Sequence, residues 1–398
     1  VRTGVPVRSV ASPTHPIAVA VDEGHATVKL STREAAMDRD FVLDIALAET
    51  FAPRAIVEQG PDGNAYALVS FRPELEAKAA PAEVIFLVDR SGSMQGESIA
   101  EARNALQLAL RSLRPGCRFN IVGFGYRHQS LFEESRAYDT ESLAEASAYV
   151  RSLEANMGGT EILPALEAVM SAKPRKGLPR QLFVLTDGEV TNTDEVIALA
   201  RKHAGSTRVF TFGIGAGASR HLVEGLARAG EGAAEFIAPG ERIEAKVLRQ
   251  LGRALTAGLT DVSVDWGTLG AEQAPHEVPP VFADGRVVLY GRLEKGEAGV
   301  VVLKASGAEG DVALTVPLNF SGVADGSLVS TLWARHAIRD LEEGRSALHG
   351  RRGSRQKRAL TLDDDRVKEE IVRLGTTFGL ASRHTSFVAV EEREDGSE

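Results

Sequence analysis

The sequence predicts an α/β domain with a mostly parallel sheet and helices on both faces, inserted in an antiparallel β-sandwich and followed by a helical segment. Three observations carry this. From Glu83 onward, short apolar runs alternate with stretches of helical periodicity, the pattern of a parallel sheet covered by helices. Before that point, and again after Gly258, the pattern is one of short β-strands. Each flank offers too few strands to bury two sheet faces alone, so the two flanks are expected to build one sandwich.

In chain order, Phe41-Val42-Leu43-Asp44-Ile45-Ala46-Leu47 places large apolar residues at its odd positions, as a half-buried strand does. Thr27–Leu30, Ala55–Glu58 and Ala65–Phe71 are similar short strands, and "RPELEAKAAPAE" reads as a linker. The α/β strands are expected at 83–88, 118–124, 181–186, 207–213 and 234–238. Between them Ile99, Ala102, Leu106, Leu110 and Leu113 recur at helical spacing, as do Ile243, Val247, Leu251 and Leu255. Strand signals return in Val262–Val264, Val287–Leu293, Val300–Lys304 and Val312–Leu318. Helices are expected at Leu328–Glu343 and Asp365–Leu374, then a last strand at Thr385–Glu391. The expected boundaries are 1–81 and 258–325 for the sandwich halves, 82–257 for the α/β domain and 326–398 for the helical segment.

Composition bounds the function. At 398 residues, with 43% hydrophobic and 25% charged residues, the chain reads as soluble, globular and multi-domain. No run approaches the ~18 apolar residues of a membrane span. A net charge of −9 argues against a general nucleic-acid binder. A single cysteine excludes an internal disulfide framework, and Cys117, just before a strand, reads as a buried structural thiol.

Three separated segments carry the candidate chemistry: Asp89-Arg90-Ser91-Gly92-Ser93, Gly158-Gly159-Thr160 and Thr186-Asp187-Gly188. The first and third directly follow buried-strand runs, and Thr160 precedes a helical stretch. All three therefore belong at the carboxyl edge of the sheet, where open α/β sheets bind ligands. Two carboxylates and three hydroxyls converging there suit a hard cation such as Mg²⁺. A mere set of capped turns is the alternative, and it does not explain why three segments match at once. The glycines of "FGIGAGAS" have G-x-G-x-G spacing late in the sheet, so tight turning accounts for them better than a dinucleotide site. The basic cluster Arg351, Arg352, Arg355, Lys357 and Arg358 reads as a loop facing Asp363–Asp365. The nine histidines show no metal-binding spacing, and no G-x-S-x-G nucleophile motif is present.

The D-x-S-x-S, the separate threonine and the later aspartate resemble the metal-ion-dependent adhesion site of von Willebrand factor A domains. "EVIFLVDRSGSM", "GCRFNIVGFG", "MGGTEILPAL", "QLFVLTDGEVTNT" and "FTFGIGAGAS" are similar to the branch that pairs this Rossmann-like domain with a VIT domain. That branch includes the inter-alpha-trypsin inhibitor heavy chains. "SPTHPIAV", "DRDFVLDI" and "SRHTSFVAVEE" extend the likeness to the flanks. The resemblance implies a bacterial member trimmed of most of its VIT domain, whose targeting signals or anchors would lie outside this chain. It implies that Ser91 and Ser93 ligate Mg²⁺ directly (with Mn²⁺ or Ca²⁺ as substitutes), as Thr160 does in the high-affinity state, while Asp89 and Asp187 act through water. The expected partner is a protein that supplies an Asp or Glu carboxylate, with Arg90, Glu161 and Glu189 as rim residues. Ligand binding would be coupled to a shift of the helix at 242–257. The expected function is a non-enzymatic adhesion or protein-binding module. The alternative is an accessory subunit of an ATPase-driven or other enzyme complex.

Overall fold

A computed structural model describes the chain except residues 1–5, 23–24, 33–40, 49–51, 74–78, 189, 239, 242, 257, 284, 295–297, 308–309, 321–323, 350–364 and 389–398. It divides into two compact units, 75–258 and the combination of 1–74 with 259–398. Among the described residues no helix is long and apolar enough to cross a membrane.

In the 75–258 unit the sheet order is Arg136–Ala137, Arg118–Phe124, Glu83–Asp89, Arg180–Thr186, Thr207–Ile214, Ala234–Ile237. The central pairs are parallel. The antiparallel additions are the edge pieces Arg136–Ala137 and His128–Ser130, which are too short and polar to show in the sequence pattern. Glu83–Asp89 and Arg180–Thr186 are buried along their whole lengths, as strands covered on both faces must be. The pleat sends alternate side chains to opposite faces. Ile85, Leu87, Leu182 and Val184 pack in one cluster with Leu166, Val196 and Leu226 of the helices Ile162–Ser171, Thr193–His203 and Arg220–Ala229. Phe86, Phe183 and Phe210 line the other face, with ring centroids 5.5 and 5.2 Å apart. The remaining helices are Glu97–Arg111, Thr140–Arg151 and Glu244–Leu255, and the first packs against the other two.

The other unit joins both ends of the chain. Its five-stranded sheet runs Ala271–Ala274, Val287–Leu293, Ala65–Phe71, Arg54–Gln59, Ala324–Asp325. The central pair, Ala65–Phe71 against Val287–Leu293, is antiparallel in unbroken register from Phe71↔Val287 to Ala65↔Leu293. A three-stranded sheet, Thr260–Asp265, Gly299–Gly307 and Gly310–Leu318, packs against it through the last of these strands. Val7–Ala11 with Asp44–Leu47, and Ile17–Asp22 with His25–Leu30, form two antiparallel pairs. The helices Leu328–Glu342 and Asp365–Phe378 are integral to this unit's core. Trp333, Val367 and Phe378 bury themselves against Tyr66 and Tyr290 of the five-stranded sheet.

The end of the chain differs from expectation. Ser382 and Thr385 form an isolated bridge, 386–388 lie outside any strand, and 389–391 are outside the described residues. Phe387 and Val388 are 75% and 82% exposed. With no strand partner among the described residues, this apolar stretch forms no ladder.

Because Ala65–Phe71 is buried and pairs with Val287–Leu293, a fragment of residues 1–80 should not fold cooperatively, whereas 82–256 should. Thermal melts followed by circular dichroism distinguish these outcomes, and a sharp transition from 1–80 alone would contradict the arrangement.

Candidate metal site

Asp89 is the last residue of its strand and is fully buried. Its Oδ1 accepts the Ser91 N–H at 2.8 Å, a local turn that short acidic side chains favour. The chain then enters a single 3₁₀ turn, Gly92–Met94. Two backbone bonds tie this loop to the second segment: Gly92 N–H to Gly158 O at 2.8 Å and Met157 N–H to Arg90 O at 2.9 Å. Gly125 permits the approach, because a Cβ there would lie 2.3 Å from the Met157 carbonyl oxygen. Gly158 has φ +75°, a left-handed conformation that favours glycine.

The hydroxyls and carboxylates form a connected set. Ser93 Oγ donates to Asp187 Oδ1 at 2.9 Å, and Ser91 Oγ lies 3.0 Å from Ser93 Oγ in a second hydrogen bond. Thr186 Oγ1 donates to the other Asp89 oxygen at 2.6 Å and accepts the Gly188 N–H at 3.0 Å. Thr160 stands beside them, since a Cβ at Gly188 would lie 3.3 Å from Thr160 Cγ2 and 3.4 Å from Asp89 Oδ2. The structure thus brings Asp89, Ser91, Ser93, Thr160 and Asp187 to one end of the sheet. Asp89 and Ser91 are buried, Thr160 and Asp187 half-buried and Ser93 exposed, so the set opens toward solvent on the Ser93 side.

Burial pushes the Asp89 carboxyl above its ordinary range, hydrogen bonds from Ser91 and Thr186 act the other way, and the Asp187 charge pushes it up again. Among the described residues neither aspartate joins an ion pair. Nor does any group of three or more His, Cys, Asp or Glu suit a metal ion. A cation here would take most of its donors from hydroxyls. The all-oxygen donor set and a buried carboxylate lacking a positive neighbour fit a hard divalent ion.

The rim residues differ in their engagement. Arg90 directs its guanidinium into the neighbouring loop, with Nε donating to Glu154 O at 2.9 Å and Nη2 to Asn156 Oδ1 at 2.7 Å. Glu161 is exposed just before the Ile162–Ser171 helix, and Glu189 lies outside the described residues. Cys117 is buried and free. Gly213 is explained by packing, since a Cβ would lie 2.6 Å from the Phe236 ring. The cluster 351–358 is outside the described residues.

Thr186 is the residue that sequence reasoning passed over. It stands inside a recognised segment, yet nothing local shows that its hydroxyl faces Asp89. Thr186→Val keeps the shape and removes the donor, and should weaken Mg²⁺ binding about tenfold, as the loss of a group that orients a ligand does. Calorimetric titration checks this, and an unchanged affinity would remove Thr186 from the site.

Residues 82–236 match the family model of the von Willebrand factor type A domain. The chain is 34% identical to a von Willebrand factor A domain-containing protein of Dictyostelium discoideum over 98% of this chain and 19% of that protein. A second such Dictyostelium protein is also 34% identical, over 94% of this chain and 40% of its own length. Human von Willebrand factor A domain-containing protein 5B1 is 42% identical over 56% of this chain and 19% of its own. The chain thus spans well under half the length of these relatives. A von Willebrand factor type A structure from Catenulispora acidiphila superposes with a TM-score of 0.51 at 15% identity, covering 82% of this chain and 87% of that one. That likeness concerns the fold alone.

Proposed function

We propose that this chain, whose residues 82–236 match the family model of the von Willebrand factor type A domain, is a non-enzymatic, metal-dependent protein-binding module. It captures an acidic side chain of a partner protein through a divalent cation, Mg²⁺ in the first instance. The observation that carries this reading is the connected set Asp89, Ser91, Ser93, Asp187, with Thr160 alongside and an edge open to solvent. When bound, the ion would offer a coordination position to a partner Asp or Glu carboxylate. Neutral hydroxyls from Ser91, Ser93 and Thr160 would leave much of its charge uncompensated, which favours an anionic ligand. The carboxylates of Asp89 and Asp187 would orient those hydroxyls, a role their hydrogen bonds support.

Among the described residues, no histidine or lysine hydrogen-bonds to Ser91, Ser93 or Thr160, which favours binding over hydrolysis. Membership of the VIT-associated branch is part of the proposal, supported by similarity that runs through the flanks over 98% of this chain. Affinity capture from the source cell with the intact protein, in Mg²⁺ and in EDTA, tests the reading. A partner retained in Mg²⁺ and released by EDTA is expected. Equal recovery in both would count against ion-mediated capture.

A further inference from the structure

Beside the ion ligands stands an aromatic side chain that the fold has no need to expose. Tyr126 is 61% exposed, two residues beyond the strand Arg118–Phe124. Its backbone is held tightly. Tyr126 N–H donates to Met157 O at 2.8 Å, Gly125 N–H to Arg127 O at 2.8 Å, and Glu161 N–H to Gly125 O at 2.9 Å. The loop that delivers Thr160 therefore also fixes 125–127. The ring lies against Gly158, where a Cβ would be 3.0 Å from Tyr126 Cδ1, and Gly158 O accepts from Gly92 next to Ser93. Tyr126 thus flanks both ligand-bearing loops.

Arg127 completes the feature. It is exposed, its guanidinium carbon lies 5.4 Å from the Tyr126 ring centroid, and among the described residues it forms no ion pair. Tyr and Arg are the side chains that most often anchor protein interfaces. An anchor on a rigid backbone loses little freedom on binding. A single carboxylate on an ion leaves a captured segment free to rotate, so a second contact beside the ligand-bearing loops would set its orientation.

We propose that Tyr126 and Arg127 form a second contact for the protein captured at the ion site. The contact selects segments that carry another acidic residue close to the ion-binding carboxylate. Arg127 takes the second carboxylate, and the Tyr126 ring packs against the chain between the two acids. This rests on the ion-site reading given above, and the test separates the two.

Fluorescein-labelled heptapeptides of Gly, Ser and Ala provide the probe, each with one Asp and with Glu, Gln or Lys at one other position. Their binding is read by anisotropy in Mg²⁺, and Mg²⁺ affinity is measured separately by calorimetry. At the best position wild type should prefer Glu over Gln by about two- to five-fold, the value of an exposed charge pair. Arg127→Ala should erase the preference and Arg127→Glu should transfer it to Lys. Tyr126→Ala should weaken all acidic peptides by about five-fold or more. Mg²⁺ affinity should be unchanged in each variant. A wild type that binds Mg²⁺ but shows no Glu preference or no peptide binding overturns the proposal. So does a preference that survives Arg127→Glu. A wild type that fails to bind Mg²⁺ defeats the ion-site reading itself, and the proposal with it.

Discussion

Replacing Arg180 by methionine should cost the α/β unit about 3–5 kcal/mol, the typical loss when one partner of a buried ion pair is removed. Arg180 and Glu83 are only 3% and 4% exposed and face each other across neighbouring strands. Arg180 Nε donates to Glu83 Oε2 at 2.9 Å. Its other nitrogens donate to the carbonyls of Val169 at 2.9 Å, Ala172 at 2.8 Å and Lys173 at 3.1 Å. This one side chain therefore closes the end of the Ile162–Ser171 helix and neutralises the acid below it. Methionine fills similar volume but leaves Glu83 with Arg175 at 3.7 Å as its remaining ion-pair partner among the described residues, and it strips three carbonyls of a donor. Adding Glu83→Gln to the Arg180→Met variant should recover part of the loss, because it removes the stranded charge. Urea unfolding of the three variants decides the matter. A loss below about 1 kcal/mol for Arg180→Met would show that water reaches this end of the sheet.

Little of that pair was legible in the sequence, although the strand that carries it was. The run Gln181 to Leu185 declares a buried strand by composition alone, but Arg180, the residue before it, meets Glu83 only through a register set by the whole sheet. The candidate metal site lies at the other extreme. Asp89, Ser91 and Ser93 lie within five residues of each other, so their convergence is a local matter. Asp187 follows from the end of a neighbouring strand. Thr160 needs its loop to fold back, and the Gly92–Gly158 and Arg90–Met157 bonds make it do so.

Side-chain direction is what pattern reading misses. Arg90, beside two ligands in sequence, turns to Glu154 and Asn156. Tyr126, distant from all of them in sequence, stands at their edge. In the same way Trp333 falls within the helix expected at Leu328–Glu343. Its place against Tyr66, with ring centroids 5.4 Å apart, depends on a helix returning across a sheet built from both ends of the chain. Expectation also outran the fold at 386–388, where β-type composition alone does not supply a neighbouring strand among the described residues.

Five oxygen-bearing side chains at the carboxyl edge of the sheet are proposed to hold a divalent cation, and Asp89 is the most exacting probe of that site. Its carboxylate is buried, receives hydrogen bonds from Ser91 and Thr186, and has no ion-pair partner among the described residues. Asp89→Ala removes the charge together with the acceptor that shapes the Ser91 turn. Asp89→Asn keeps the side-chain shape but removes the charge and turns one of the two accepting oxygens into an amide donor. Isothermal titration of the intact protein with Mg²⁺ should give saturable binding for wild type. Both variants should lose about 100-fold or more in affinity, with far-ultraviolet circular dichroism unchanged. Mg²⁺ at 100 times its dissociation constant should stabilise wild type by about 2.7 kcal/mol and the variants hardly at all. Equal Mg²⁺ affinity in wild type and Asp89→Ala would contradict the account, because the carboxylate at the base of the set would then play no part in holding the ion.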